Sequence, residues 1–110
     1  MSMKRFEVLE MSIESIRMAK PLVDKIERKD KKLGGQIKEA MTSVPGNIAE
    51  GNHSKGGSRL SHFHIAWGSN DEARVHFRSA EAWGYVTEAE VEPLEQHMDK
   101  VSGSLYRLTH

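Results

Sequence analysis

The last fifth of the sequence carries a heptad pattern that only a helix with one buried face satisfies. Apolar residues recur there at alternating intervals of three and four, at Val91, Leu94, Met98, Val101, Leu105 and Leu108. Thr87 and Glu90 precede them with the spacing of a capping box, in which each side chain satisfies a free backbone N–H of the helix start. The pattern predicts a helix over about 87–108 whose apolar face packs against other helices.

Helical periodicity continues over the rest of the chain, and no alternating strand pattern of useful length occurs. We predict further helices over about 6–28, 32–50 and 58–83, with Gly84 at the C′ position of the third. A polar, Gly-rich loop at 52–57 separates the second helix from the third.

Four amphipathic helices with short connections predict an all-α, antiparallel up-down-up-down four-helix bundle. The length of 110 residues fits one domain over 1–110. Because helices this long leave few layers between the core and water, we expect further burial through assembly with other copies.

Charge is balanced overall but uneven along the chain. Residues 1–59 carry 12 basic and 8 acidic side chains, whereas residues 60–110 carry 4 basic and 8 acidic. The neutral total argues against a strongly basic nucleic-acid binder, and we expect the oppositely charged halves to help neighbouring subunits pair. With no cysteine, disulfides and thiolate chemistry are excluded. The lack of a long apolar run predicts a cytoplasmic protein with no membrane contact.

The stretch from Gln36 to Gly51, QIKEAMTSVPGNIAEG, carries a recognisable signature. It resembles a four-helix-bundle family that includes proteins encoded in intervening sequences of large-subunit ribosomal RNA genes. The same family includes the accessory variability determinants of diversity-generating retroelements. An Ala-x-Gly-Ser element followed by Glu, at 66–72, fits the third helix of that family. The proline within the signature implies that the second helix continues past Thr42, where propensity alone would end it.

The resemblance implies bundles that assemble into ring-shaped homopentamers. For the retroelement members it also implies binding of RNA or DNA and association with a reverse transcriptase, although those members are basic and this chain is neutral. We therefore predict a non-enzymatic, homo-oligomeric scaffold or accessory protein. The alternative is a nucleic-acid-binding accessory subunit of a retroelement reverse transcriptase. A third and weaker hypothesis is an enzyme that uses Asn47 and Glu50.

The polar signature residues are interpreted as a structural network rather than a catalytic site. Asn47 stands one helical turn from both Ser43 and Glu50. Because buried polar groups need partners, we expect these side chains to hydrogen-bond across the second and third helices, with Gly68 permitting close approach. The structural polar signature comprises Gln36, Ser43, Asn47, Glu50, Gly51, Gly68, Ser69 and Glu72.

Two basic groups are candidate nucleic-acid contacts: Lys25, Arg28, Lys29, Lys31 and Lys32 in one, and Lys55 and Arg59 in the other. In an antiparallel bundle they lie at opposite ends, so solvated charge is the favoured interpretation for one subunit. Trp67, Trp83 and Tyr85 follow core or interface spacing, which gives base stacking little support. The six histidines include no i, i+4 pair typical of helical zinc motifs, so we expect no metal, no cofactor and no catalytic residue.

Overall fold

The computed structural model describes residues 2–110. Within this part of the chain the structure has four helices and no strand: α1 Met3–Lys29, α2 Lys31–Asn52, α3 Gly56–Ala82 and α4 Glu88–Thr109. Helices α1 and α3 each pack against α2 and α4, so α1 and α3 occupy one diagonal of the bundle. The long dimension of 43 Å matches the ~40 Å expected of the 27-residue helices. The predicted all-α four-helix bundle is confirmed.

The helix bounds differ from the predicted ones by a few residues. α1 begins before residue 6 because the Ser2 hydroxyl accepts a hydrogen bond from the Arg5 N–H at 3.3 Å. α2 continues past residue 50 because Gly51 stays helical and is buried against α3. α3 begins at Gly56 rather than at 58, and the φ of +57° at Gly56 turns the chain into the helix.

A single residue, Asp30, joins α1 to α2. Its N–H donates the last hydrogen bond of α1 to the Ile26 carbonyl at 2.8 Å, and its extended backbone, with φ −151° and ψ 91°, ends that helix. Its carboxylate accepts from the Leu33 N–H at 3.0 Å and from the Tyr85 hydroxyl at 3.1 Å. Asp30 therefore ends one helix, caps the next and fastens their turn to the α3–α4 connection.

The α3–α4 connection uses the two devices predicted from sequence. Gly84 has a φ of +79°, and the N–H groups of Gly84 and Tyr85 each donate at 2.9 Å to carbonyls of the last turn of α3. This is a Schellman ending, which needs a left-handed residue at C′. The Thr87 hydroxyl accepts from the Glu90 N–H at 3.1 Å, and the Glu90 carboxylate accepts from the Thr87 N–H at 2.9 Å. The capping box is thus present in full.

Three prolines lie inside helices without ending them. Pro21 and Pro93 are exposed, so water can solvate the carbonyl that each proline leaves without a donor. Pro45 lies in α2, which continues beyond it as the family signature implies.

Buried apolar side chains form two clusters along the bundle. They include all of the apolar heptad positions predicted for α4 except Leu108, which is half-buried. The cluster nearer the α1–α2 turn includes Ile26, Ile37, Phe77, Leu94 and Met98. The cluster nearer the other end includes Val8, Ile48, Phe63, Val101 and Leu105. Between them lies a band that we call the mid-bundle polar layer, made of Ser12, Ser15, Ser43, Ser69, Asn70, His97 and Ser102. No helix within residues 2–110 combines the length and apolarity needed to cross a bilayer.

Candidate functional site

The signature residues of α2 form a hydrogen-bonded seam with α3. The hydroxyl oxygens of Ser43 and Ser69 lie 2.9 Å apart, and the Asn47 amide nitrogen donates to the carbonyl and the hydroxyl of Ser43, both at 3.0 Å. The Asn47 amide oxygen lies 3.1 Å from Nδ1 of His62, and a Glu50 carboxylate oxygen lies 3.3 Å from the same nitrogen. Because both partners accept, this network assigns the proton to Nδ1 of His62.

Two polar side chains of the signature lie outside this seam. Gln36 is exposed on α2. Glu72 lies on the outer face of α3, where its carboxylate faces His76 of the same helix at 3.9 Å. The expected bond from Glu72 across to α2 is therefore not formed, and the Glu72 side chain is 62% exposed. Glu50 reaches the seam only through His62, and its side chain remains 67% exposed.

The close approach of α2 to α3 lies at Gly51 and not at Gly68. A Cβ on Gly51 would stand 2.6 Å from Cε1 and 2.8 Å from Cδ1 of the Phe63 ring. A Cβ on Gly68 would meet no atom within 4 Å, because Gly68 faces outward from α3. The expectation that Gly68 permits contact between these two helices is therefore wrong.

A second polar cluster, between α3 and α4, is absent from the sequence interpretation. Asn70 is 2% exposed, and its amide nitrogen donates to the Met98 carbonyl at 3.0 Å and to the Ser102 hydroxyl at 3.1 Å. The Ser102 hydroxyl in turn donates to the Asp71 carboxylate at 2.6 Å. The signal that could have revealed this cluster is a polar residue at a core-facing position between two buried alanines of α3.

The α3–α4 cluster continues to the surface through Arg74. Its guanidinium donates to Glu95 at 2.6 Å and 3.1 Å, to Asp99 at 3.1 Å and to Asp71 at 3.3 Å. The hydrogen bonds to Glu95 raise the pKa of the Arg74 guanidinium above its usual value. One cation among three carboxylates leaves this flank of the bundle with excess negative charge.

The mid-bundle polar layer links neighbouring helices around the bundle. His97 on α4 places Nε2 at 2.8 Å from the Met11 carbonyl on α1, which that nitrogen can reach only as a donor. The buried Ser12 and Ser15 hydroxyls donate to carbonyls of α1 itself, at 2.7 Å and 3.2 Å. Sliding one helix against another would separate the partners that lie on different helices, such as His97 and Met11, so the layer favours a single register of the bundle.

At the α1–α2 end, two of the predicted basic contacts are engaged within the subunit. The Lys25 ammonium lies 3.0 Å from both carboxylate oxygens of Glu90, and the Lys29 ammonium lies 3.4 Å from the Tyr85 carbonyl. The remaining members are exposed at the same turn: Arg28, Lys31 and Lys32.

The other basic group lies at the opposite end of the bundle. Lys55 immediately precedes α3, and the Arg59 guanidinium donates to the Gly51 carbonyl near the end of α2 at 3.2 Å. The two basic groups therefore stay separate within one subunit, and part of each is committed to holding helix ends.

Trp83 lies outside the core, which leaves only the interface alternative of its core-or-interface spacing. Its side chain is 71% exposed and lies over the Tyr85 ring, with ring centroids 6.5 Å apart and planes 18° apart. Residue 83 follows the last turn of α3, where helical spacing no longer tells which side of the bundle a residue faces. The structure thus places an exposed aromatic side chain at the same end as the basic α1–α2 turn.

The geometry offers no assembled metal centre. Within residues 2–110, no three histidine, aspartate or glutamate side chains converge as ligands of one ion. The seam and the α3–α4 cluster instead pair their polar atoms with one another. What this arrangement can do chemically is hold helices in register.

Comparison with known proteins places the chain in a family. Residues 4–107 match the family model described as 23S rRNA-intervening sequence protein. The chain belongs to this family. The fold is similar to that of a protein with unknown function from the S23 ribosomal protein family of Bacteroides thetaiotaomicron, with a TM-score of 0.86. The two share 20% sequence identity, over 97% of this chain and 98% of that one, which shows the fold alone. No curated protein matches the sequence significantly.

The family match confirms the resemblance seen in the sequence, and the structure gives its motifs a location. The signature at 36–51 forms α2 and the Gly-Ser element lies in the middle of α3. These are facing helices, joined through Ser43 and Ser69. In this 23S rRNA-intervening sequence family protein, the motifs thus meet at a packing interface within the subunit rather than around a cleft, although Gly68 faces outward.

Proposed function

We propose that this family member is a non-enzymatic scaffold or accessory protein that assembles with copies of itself. A ring of five copies is what the family resemblance implies. The observation that carries the proposal is the outer face of α3. Val75 on this face is 62% exposed and Ile65 at its edge is 48% exposed, with the bare backbone of Gly68 between them.

Nothing inside one subunit explains this outer face. Glycine in a helix interior is less favourable than alanine by about 1 kcal/mol, and no neighbouring atom requires Gly68. Apolar side chains turned to water likewise gain nothing for an isolated bundle. A neighbouring copy that covers the face would bury Val75 and Ile65 and use the space above Gly68.

The internal pairing of the polar seam supports a role without chemistry. The Asn47 amide uses its nitrogen on Ser43 and its oxygen on His62. An amide committed to its neighbours on both sides stabilises a structure, whereas a catalytic group would face a bound substrate.

The test is the mass of the purified protein in solution by light scattering across a range of concentrations. We expect a defined multiple of the 12.4 kDa chain. Ile65→Lys should lower that mass, whereas Phe6→Lys should leave it unchanged, because both side chains are 48% exposed but lie on different helices. A wild-type protein that stays monomeric at micromolar concentration would contradict the proposal.

A second candidate function, binding of single-stranded nucleic acid, is favoured by Trp83. An exposed aromatic ring beside basic side chains is the combination that stacks bases and neutralises phosphates. Trp83 provides the ring, and the exposed cations of the α1–α2 turn provide the charge. Association with a reverse transcriptase stays a prediction of the resemblance.

Fluorescence anisotropy with a labelled single-stranded RNA tests this second function. Trp83→Ala should weaken binding by about 1–3 kcal/mol. Lys31→Gln should reduce the slope of log affinity against log salt concentration by about 1. Trp67→Phe is the control, because Trp67 packs against Tyr106 away from that turn. No binding at low salt, or equal affinity after loss of Trp83, would rule this function out.

A further inference from the structure

An apolar groove of about 460 Å³ lies on the outside of the bundle between α1 and α2. Ile16, Val23 and Met41 form its apolar lining. Its charged lining consists of three cations and one carboxylate, namely Arg17, Lys20, Lys38 and Asp24. The α1–α2 groove therefore suits an apolar partner surface that brings negative charge.

The outer face of α3 has the matching chemistry. Val75 projects there into solvent, and the exposed carboxylate of Glu72 lies one helical turn away on the same side. The adjoining flank holds the three carboxylates gathered around Arg74. Because α3 is diagonal to α1, this face points away from the groove of its own subunit.

We propose that the α1–α2 groove of one copy receives the outer face of α3 from a second copy. This rests on the proposed self-assembly and names its two surfaces. The groove lining has three cations to one carboxylate. The α3 face and its flank have four carboxylates to two cations, namely Asp71, Glu72, Glu95 and Asp99 against Arg74 and Arg78. Opposite charges on the two surfaces favour this pairing over groove-to-groove or face-to-face contact.

The cations of the groove are available to such a partner. Lys20 pairs with Asp24 at 2.8 Å and Lys38 with Glu27 at 2.7 Å, and all four side chains remain partly in water. Exposed pairs of this kind contribute little to stability, so an incoming carboxylate can join or replace them at little loss.

The contact is heterologous, because each copy offers one groove and one face on opposite sides. Such contacts continue from copy to copy and close into a ring where the rotation between copies allows it. They also have a property that symmetric contacts lack, since a copy with a damaged groove can still use its face on a copy whose groove is intact.

Two variants at exposed positions test this property. The groove variant carries Lys20→Glu and Lys38→Glu, and the face variant carries Val75→Lys. Each should have the helical circular dichroism of the wild type and the mass of a single chain in sedimentation. Mixed in equal amounts at the highest soluble concentration, they should form a species of two chains and nothing larger, because only one intact groove and one intact face remain.

Each other outcome overturns a distinct statement. If the groove variant assembles as the wild type does, the groove is not the receiving surface. If both variants are monomeric and their folded mixture is too, while the wild type assembles, the two surfaces do not pair with each other. A monomeric wild type overturns the proposed self-assembly itself, and this contact with it.

Discussion

Replacing Gly51 by alanine tests the closest approach of α2 to α3. The added Cβ would stand 2.6 Å from a carbon of the Phe63 ring. Phe63 is 2% exposed and belongs to the core cluster that lies away from the α1–α2 turn. The ring or the helix has to move, and overpacking of this kind costs about 1–3 kcal/mol. Alanine gains at most about 1 kcal/mol of helix propensity, and less here because Gly51 is the penultimate residue of α2. We expect a net loss of about 1–2 kcal/mol in the free energy of unfolding.

Gly103→Ala is the matched control. A Cβ on Gly103 would have the flexible end of Arg107 as its nearest neighbour, at 3.5 Å, an ordinary contact. Gly103 lies well inside α4, so alanine should stabilise the protein by up to about 1 kcal/mol. Urea unfolding followed by circular dichroism measures both variants, at one protein concentration because self-assembly links stability to concentration.

A double variant separates the clash from other effects of the substitution. Phe63→Leu removes the atoms that the new Cβ meets and should by itself cost about 1–2 kcal/mol of core packing. The double variant with Gly51→Ala should lose less free energy of unfolding than the two single losses added together. The difference, which is the coupling energy, should be about 0.5–3 kcal/mol. If Gly51→Ala stabilises the protein as Gly103→Ala does, the packing argument is refuted.

Further predictions follow from the core, the ion pairs and the helix cap, each measurable by urea unfolding. Leu94→Ala should cost about 2–5 kcal/mol, and a change below about 0.5 kcal/mol would place Leu94 outside the core. Arg74→Ala should cost more than Arg17→Ala, because Arg74 holds three carboxylates whereas Arg17 holds one in an exposed pair. The hydrogen bond from the Thr87 N–H, and then that from the Lys25 ammonium, lower the pKa of the Glu90 carboxyl below its usual 4.5. The ionised Glu90 carboxylate therefore stabilises the fold above pH 4.5, and this contribution is lost as the pH falls through the lower pKa of the folded state. Glu90→Gln should make the free energy of unfolding fall less steeply as the pH is lowered through this range.

Much of the fold follows from local signals in the sequence. The spacing of Val91 to Leu105 sets the buried face of α4, and a capping box and a C′ glycine set the limits of the α3–α4 connection. These signals act within one or two turns of helix, where the physics is independent of the rest of the chain. Helix ends shift where tertiary contact decides, as at Gly51, which packing on Phe63 keeps within α2.

The polar layer is harder to predict because its partners come from different helices. Asn70 and Ser102 are 32 residues apart, and their hydrogen bond depends on how α3 and α4 align. His62 joins the seam for the same reason, and its partner Asn47 lies 15 residues away on another helix. Once Ser43 is known to face Ser69, antiparallel geometry brings Gly51 opposite the first turns of α3, where Phe63 lies. One contact between the helices therefore fixes the others, but no single segment supplies that first contact.

The Ala-x-Gly-Ser element shows how one motif can serve two surfaces. Neighbouring residues of a helix point about 100° apart, so Gly68 and Ser69 face different directions. Ser69 meets Ser43 inside the subunit, whereas Gly68 opens to the outside beside Val75. Ser69→Ala should therefore lower the stability of the subunit fold. A bulky replacement of Gly68 should not lower the stability of the isolated subunit, because its Cβ would meet no atom within 4 Å, and it should reduce assembly. Unfolding at low protein concentration and mass in solution, measured on both variants, separate the two roles.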